Sequence, residues 1–420
     1  MIQRPRGTRD FSPEEMEKRR YLESEMREEA KKFAFREIAT PIFEHTELFT
    51  LKSGPAIIEE IYAFRDKGGR EISLRPELTA PVIRFFVNEL SSMPKPLKLF
   101  YFGPCFRYER PQSGRFREFY QFGAELIGAE NPESDAEVIA LAVAIMRRVG
   151  LSDINVRVGH IGILRETLVS SGVSPESASR VLQRLDRKEY AEARAAMEES
   201  GMEDSSIDEV IRITQVSGDV GCLSDLEGDA ISYLRELLLV LEAYGMGDIT
   251  VDLGVVRGLD YYTGIVFEID APRLGAEKQV CGGGSYSLSE LFGGERVFST
   301  GFAIGFDRMV LALEKEGFRC PSQSVEVFVM PVGEERRWEA FPIVSALRGG
   351  GIVTEIDLMR RSMGRGLKHA DALGAAYTVI IGEKELEQDS VTVRDMHSGE
   401  QVLVAREKLL PYLRAKLGKK

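Results

Sequence analysis

Residues Tyr101–Gly128 read YFGPCFRYERPQSGRFREFYQFGAELIG. The chain enters this stretch through Leu99, Phe100, Tyr101 and Phe102, crosses a polar segment holding Pro111, Gln112, Ser113 and Gly114, and returns apolar from Phe119 to Ile127. Turn formers between two aromatic-rich runs predict a pair of antiparallel strands joined by a loop. Strand side chains alternate, so Arg107 and Glu109 share a face on the way in, and Gln121, Gly123 and Glu125 share one on the way out. A file of Gln and Glu is out of place in the core of a strand otherwise made of Phe, Tyr, Ala and Leu. Arg107, Arg110, Arg115 and Arg117 gather in the same segment. Two readings stand open at this point. One is an exposed hairpin with a solvated face; the other is the floor of a site for a small anion, with guanidinium forks set against phosphate or carboxylate oxygens.

The whole chain bounds the choice. At 420 residues it exceeds a single core, and two or three domains are expected. No apolar run approaches membrane-spanning length, and Met1–Glu15 is charged rather than signal-like, so no membrane association is expected. Cys105, Cys222, Cys281 and Cys320 lie far apart, and the four histidines show no ligand spacing. Neither a zinc site nor a disulfide framework is expected, and a reducing cytoplasm fits. The net charge of −12 argues against a protein that coats nucleic acid. It leaves room for a specific RNA partner, which needs only local positive surface.

Toward the N-terminus, Ser12–Phe35 reads as a helix, with Ser12 as N-cap, Pro13 at the first turn and Glu14, Glu15 and Glu17 at the positive end of the dipole. Ala39–Phe43 is extended around Pro41. Ile72–Pro81 predicts a strand, a proline-restricted turn and then a helix over Val82–Leu90. There Thr79 reads either as a helix cap or as a site hydroxyl, and Glu77 as a loop charge or a site carboxylate. A helix follows over Pro132–Val149, started by Asn131. Residues 163–245 are rich in Ala, Glu and Arg with helical periodicity and no chemistry-bearing cluster.

Toward the C-terminus, Val255–Ile269 reads VVRGLDYYTGIVFEI, a turn carrying Arg257, Asp260, Tyr261 and Tyr262 before a strand. A buried Arg–Asp pair with packed tyrosines would explain it without any ligand. Cys281–Tyr286, CGGGSY, allows close backbone approach. Thr300–Met309 predicts a strand, Gly305 and the start of a helix running from about Phe306 to Gly317, with Arg308 near its beginning, where the dipole disfavours a cation unless an anion shares the space. Beyond Ser322 the pattern alternates: strand Val325–Pro331, helix Glu335–Arg348, strand Ile352–Asp357, helix Met363–Leu373, strands Tyr377–Ile381 and Val391–Asp395, and helix Ala405–Leu417. That alternation predicts a small α/β domain, and no phosphate-binding glycine loop follows any of its strands.

The string F-R-x-E-R-P-Q-x-G-R-x-R-E-F-x-Q-x-G-x-E resembles motif 2 of class II aminoacyl-tRNA synthetases in the form used by histidyl-tRNA synthetases. R-G-L-D-Y-Y-T-G-x-V-F-E resembles that family and its non-catalytic relatives. The resemblance implies an α+β fold with an antiparallel-sheet catalytic domain, a helical insertion and a C-terminal α/β anticodon-binding domain. Its divisions would be 1–162 and 247–323 for the catalytic domain, 163–246 for the insertion and 324–420 for the anticodon-binding domain. It further implies that L-histidine is activated with ATP and Mg²⁺ to the adenylate and then passed to tRNA(His) by a homodimer, with no zinc or organic cofactor.

By the same resemblance Arg107 and Arg257 would be catalytic at the α-phosphate, and Arg107, Arg115 and Arg308 would bind ATP. Glu77, Thr79, Gln121, Glu125, Arg257, Tyr261, Tyr262 and Tyr286 would bind histidine, with Gln112 and Arg117 at the tRNA acceptor end. The chain departs from the family pattern at Leu78, usually Gly, and at Ser285 and Ser287, usually Arg and Asp. Two competitors are weighed: a regulatory paralogue that serves a phosphoribosyltransferase, which typically lacks the C-terminal domain, and the prolyl, threonyl or glycyl synthetases, which lack R-G-L-D-Y-Y.

Overall fold

The computed structural model describes residues 2–53, 55–109, 114–255, 262–320 and 325–419. Two compact units divide the chain, residues 1–320 and 321–420.

The first helix of the first unit, α1 (Pro13–Lys32), starts on a capping box. The Ser12 hydroxyl accepts from the Glu15 N–H, and the Glu15 carboxylate accepts from the Ser12 N–H at 2.8 Å. The strands that follow are β1 (Arg36–Glu37), β2 (Phe43–His45), β3 (Ala63–Arg65), β4 (Glu71–Leu74), β5 (Leu97–Phe106) and β6 (Glu118–Ile127). Later come β7 (Asn155–His160), β8 (Ser217–Gly218), β9 (Ile249–Asp252), β10 (Tyr262–Asp270), β11 (Gln279–Tyr286) and β12 (Ser299–Gly305). Nine of these form one sheet in the order β1-β5-β6-β12-β11-β10-β7-β9-β8, antiparallel except where β1 meets β5 and β7 meets β9. β2, β4 and β3 make a separate three-stranded sheet.

The predicted hairpin is β5 and β6, paired from Leu97↔Ile127 to Phe106↔Glu118. Its register decides what faces where. Phe100, Phe122, Ala124 and Phe302 point into a core shared with the helix α4 named below, with Phe100 and Phe122 stacked at 5.6 Å. The alternate positions Tyr101, Gly123, Glu125, Gly301 and Ala303 point the other way.

Helices α2 (Thr46–Ser53) and α3 (Thr79–Phe85) pack beside the small sheet, α3 running on as a π-type turn over Phe86–Leu90. Helix α4 (Pro132–Arg148) is capped by the Asn131 side chain, as the sequence indicates. Next are α5 (Ile161–Ser170), α6 (Pro175–Asp186), α7 (Tyr190–Glu199), α8 (Asp204–Thr214) and α9 (Asp229–Ala243), whose buried Leu164, Leu182, Met197, Val210 and Leu237 join the core of the large sheet. Helix α10 (Phe306–Lys315) follows β12 directly. No described helix is long and apolar enough to cross a membrane.

The second unit holds β13 (Val327–Pro331), β14 (Thr354–Ile356), β15 (Tyr377–Ile381), β16 (Ser390–Asp395) and β17 (Gln401–Ala405) in the order β14-β13-β15-β16-β17. The first three are parallel and the last two pairings antiparallel. Helices α11 (Arg337–Gly349), α12 (Met363–Ala372), α13 (Glu383–Glu387) and α14 (Leu409–Lys416) accompany them. Every residue of β13 is buried, with Val327 and Val329 in one core and Phe328 and Met330 in another, so its apolar run lies between two covered faces. The sequence-based helix over Ala405–Leu417 is corrected: Ala405 ends β17, residues Arg406–Lys408 form a short 3₁₀ turn, and the helix begins at Leu409.

Candidate active site

A cavity of about 370 Å³ opens over the polar face of the successive strands β6, β12 and β11, with Tyr262 of β10 at its side. The first requirement for a cavity on a sheet is missing side chains, and here glycines supply them. A Cβ on Gly123 would meet the Tyr101 ring at 2.4 Å, and one on Gly301 would meet a Glu125 carboxylate oxygen at 1.6 Å. Gly301 is the direct cross-strand partner of Glu125, and Gly123 of Tyr101. Each glycine therefore opens the space that its neighbour's polar side chain fills.

At the closed end lies Glu125, 1 % exposed. Its Oε1 accepts from the Tyr101 hydroxyl at 2.9 Å and its Oε2 from the Tyr286 hydroxyl at 2.6 Å. Burial pushes this carboxyl up to about 7, against the opposing pull of the tyrosine hydroxyls. The buried Tyr101 phenol is itself held well above its ordinary range, so it stays a donor. Thr79 Oγ1 stands 3.5 Å from the Tyr101 hydroxyl, and the Tyr262 ring meets that of Tyr286 edge-on at 6.4 Å.

Of the readings of Thr79 and Glu77, the capping role passes from the first residue to the second. Thr79 makes no side-chain cap; it is the first residue of α3. The cap comes from Glu77, whose carboxylate accepts the N–H groups of Thr79 and Ala80, both at 3.0 Å. Glu77 is not a solvated loop charge either, because it also pairs with the buried Lys52 at 3.0 Å.

Gln121 and Glu125 are four residues apart on one face of β6, roughly 13 Å at strand spacing. Gln121 accepts from the Cys105 thiol at 3.3 Å, and burial keeps that thiol protonated by pushing it up to about 12. Beyond Gln121 the cavity wall turns cationic. Arg107 donates to the Pro76 carbonyl at 2.9 Å and lies over the Phe119 ring. Glu109 sits 3.7 Å from both Arg107 and Arg115. Arg308 reaches from the first turn of α10 to the Gln279 carbonyl at 3.0 Å. Its neighbour Asp307 takes the opposite course: it accepts from Arg9 at 2.5 Å, from Arg19 at 2.7 Å and from the Tyr120 N–H at 2.8 Å.

Of the residues singled out in the sequence, Glu77, Thr79, Arg107, Arg115, Gln121, Glu125, Tyr262, Tyr286 and Arg308 all line this one cavity. Arg117 is not among its lining residues; it donates to the Glu109 carbonyl and stacks over Tyr108 at 4.2 Å. Arg257, Tyr261 and Gln112 lie outside the described residues. Sequence reasoning missed Tyr101 and Lys52. Tyr101 could have been found from alternation, since it faces Gly123 across the hairpin, whereas nothing local marks Lys52.

The unusual Ser285 is buried, and its hydroxyl donates to Asp135 at 2.7 Å. Asp135 reads from sequence as an ordinary first-turn acid of α4; in the structure it is 1 % exposed and also accepts from the Tyr233 hydroxyl at 2.8 Å. The buried Asp135 carboxylate is thus met by hydroxyl groups. The Ser287 hydroxyl donates to the Val297 carbonyl, in the connection to β12, at 3.4 Å.

The arrangement offers a buried, hydrogen-bonding pocket at one end and guanidinium groups at the other, which suits a small polar molecule joined to a polyphosphate. Comparison with known proteins agrees. A family model described as histidyl-tRNA synthetase matches residues 7–309, and one described as an anticodon binding domain matches residues 326–416. The histidine--tRNA ligase of Methanosarcina acetivorans is 47% identical, covering 97% of this chain and 98% of its own. That of Archaeoglobus fulgidus is also 47% identical, covering 98% and 99%. The crystal structure of apo S. aureus histidyl-tRNA synthetase superposes with a TM-score of 0.78 at 32% identity, covering 99% of this chain and 100% of that one. With its fold and its sequence in agreement over nearly its full length, the chain belongs to the histidyl-tRNA synthetase family.

Proposed function

We propose that this chain activates L-histidine with ATP, forming histidyl-adenylate and pyrophosphate, and then transfers the histidyl group to the 3′ end of tRNA(His). The observation that carries the reading is the buried Glu125 carboxylate, bridged by two tyrosine hydroxyls at the closed end of a cavity whose other end holds three arginines.

The imidazole of histidine presents two nitrogens, and Glu125 with Tyr262 offers groups to meet them. Glu77, Thr79 and Gln121 supply oxygens for the α-ammonium. A pocket of this kind rejects an analogue without the matching nitrogens by roughly 10⁴–10⁵-fold, because its own buried polar groups would be left unpaired. In the first step a histidine carboxylate oxygen bonds to the α-phosphorus while the bond to the bridging oxygen breaks and pyrophosphate leaves. The nucleophile is already ionised, so alignment and charge neutralisation do the catalysis. Arg107 and Arg257 are assigned to the α-phosphate and Arg115 and Arg308 to the γ-phosphate, since guanidinium stays charged and binds oxygens in pairs. Mg²⁺ enters with the ATP, held chiefly by phosphate oxygens. Tyr261 is assigned to the histidine pocket, and Gln112 and Arg117 to the tRNA acceptor end.

We read residues 1–162 and 247–323 as the catalytic domain, 163–246 as a helical insertion that approaches the acceptor stem, and 324–420 as the anticodon-binding domain. The chain is read as a homodimer. On the small sheet Phe43 and Phe64 pair with Leu74 and Ile72 on one face, and both phenylalanines are exposed, a surface suited to a second copy.

The test is ATP–pyrophosphate exchange over a panel of amino acids without tRNA, followed by tRNA charging. Exchange with histidine alone is expected. Folded protein that exchanges with none would favour a regulatory subunit instead, and exchange with a different amino acid would overturn the pocket assignment.

A further inference from the structure

Lys52 stands in the last turn of α2 with its side chain 2 % exposed, and it lines the cavity. Its ammonium lies 3.0 Å from Glu77 Oε1, the same oxygen that accepts the Ala80 N–H. Among the described residues Glu77 Oε2 accepts only the Thr79 N–H. A carboxylate oxygen has two lone-pair directions. Oε1 thus faces both the Ala80 N–H and the Lys52 ammonium, while Oε2 keeps one direction for another donor.

The helices favour this arrangement at both ends. A cation suits the C-terminal turn of α2, and an anion suits the N-terminus of α3. Yet a buried ion pair repays its desolvation poorly, and an apolar pair of similar volume would hold α2 against α3 at least as well. Phe49 and Leu48 of α2 already pack against Ala80 of α3 without any charge. Stability is a weak reason for Lys52; control of Glu77 is a better one.

We infer that Lys52 is a positioning residue for substrate binding: by occupying Glu77 Oε1 it locks the carboxylate so that Oε2 alone presents to the amino acid's α-ammonium. The inference rests on the proposed role of Glu77 in histidine binding. Lys52 touches Glu77, and its effect on the substrate passes through that carboxylate.

Lys52→Met keeps the side-chain length and removes the charge. Equilibrium binding of histidine and of histidinol, which retains the ammonium but has no carboxylate, is measured for wild type and variant, with ATP binding and thermal unfolding alongside. Both amino compounds should bind about tenfold or more weakly to the variant, while ATP binding stays within roughly twofold. Lys52→Arg should restore most of the loss.

In a Glu77→Gln background the Lys52→Met change should have little further effect, because residues that act as one unit are not additive. Four outcomes overturn the inference: unchanged or tighter histidine binding by folded Lys52→Met, weakened histidine but not histidinol binding, additive effects of the two substitutions, or a change confined to the unfolding temperature. Wild-type protein that binds no histidine at all would instead remove the proposed function.

Discussion

A methyl group at position 301 has nowhere to go except into Glu125, 1.6 Å from its nearer oxygen. Gly301→Ala should therefore push the carboxylate off its two tyrosine partners. We expect histidine-dependent exchange to lose at least about a hundredfold in kcat/KM, equivalent to ~2.7 kcal/mol of transition-state stabilisation. Circular dichroism would show whether the sheet itself survives. Glu125 also sets a pH dependence. Burial raises its carboxyl in the folded protein from 4.5 to about 7. Between those values the folded state holds a proton that the unfolded state has lost, so this group's contribution to stability falls as pH rises through that window and levels off above it.

Binding runs the other way, since only the ionised form can accept from both tyrosines and from an imidazole N–H. The KM for histidine should fall as pH rises from about 6 to 8. In Glu125→Gln only the titration of the free ligand's own imidazole should remain. A pH profile identical in wild type and variant would take Glu125 out of the site.

Elements show why part of this was readable in the sequence and part was not. The Ser12 capping box, the Asn131 cap, the all-buried run of β13 and the alternation along β6 are local patterns, and each is set by neighbours within a few residues. β17 escaped because it exposes all but Val404, which leaves no apolar file to detect, and α13 because it is one short turn with nothing buried. Glu125 and Gly301 meet only after β12 is laid beside β6, and Lys52 and Glu77 only after α2 packs against α3, and no periodicity reports either neighbour.

Asp135 is the plainest case of a misleading local signal: an acid in a first turn of α4 usually answers the helix dipole, yet here it gathers hydroxyls from β11 and α9. Asp135→Ala should strand buried Ser285 and partly buried Tyr233 hydroxyls, destabilising the protein by about 2–4 kcal/mol in urea unfolding. Histidine KM in the surviving folded fraction should change little.

At the scale of the whole molecule, the exposed Phe43 and Phe64 of the small sheet are where the proposed homodimer can be tested. Phe43→Glu combined with Phe64→Glu places two charges on that face without touching the cavity. On the proposed homodimer, sedimentation velocity should show a dimer for the wild type and a monomer for this double variant, and a double variant that remains dimeric would send the interface elsewhere. The small sheet carries more than a contact surface, because Arg75, directly after β4, donates to the carbonyls of Thr40, Pro41 and Pro104. That buried guanidinium joins the segment carrying the small sheet to β5, and room for it is left by Gly103. Loss of the dimer should accordingly lower exchange activity as well as assembly, by about tenfold.

The glycines at 123 and 301 also fix the terms on which the pocket could be re-engineered. Neither residue can be made smaller, and any enlargement collides with Tyr101 or Glu125. The floor is thus already at its greatest depth, and mutation there can only fill it. A library randomised at both positions and selected for growth should return glycine at each. Variants that accept a bulkier amino acid should come instead from the walls, at Tyr262 and Tyr286, where there are side-chain atoms left to remove.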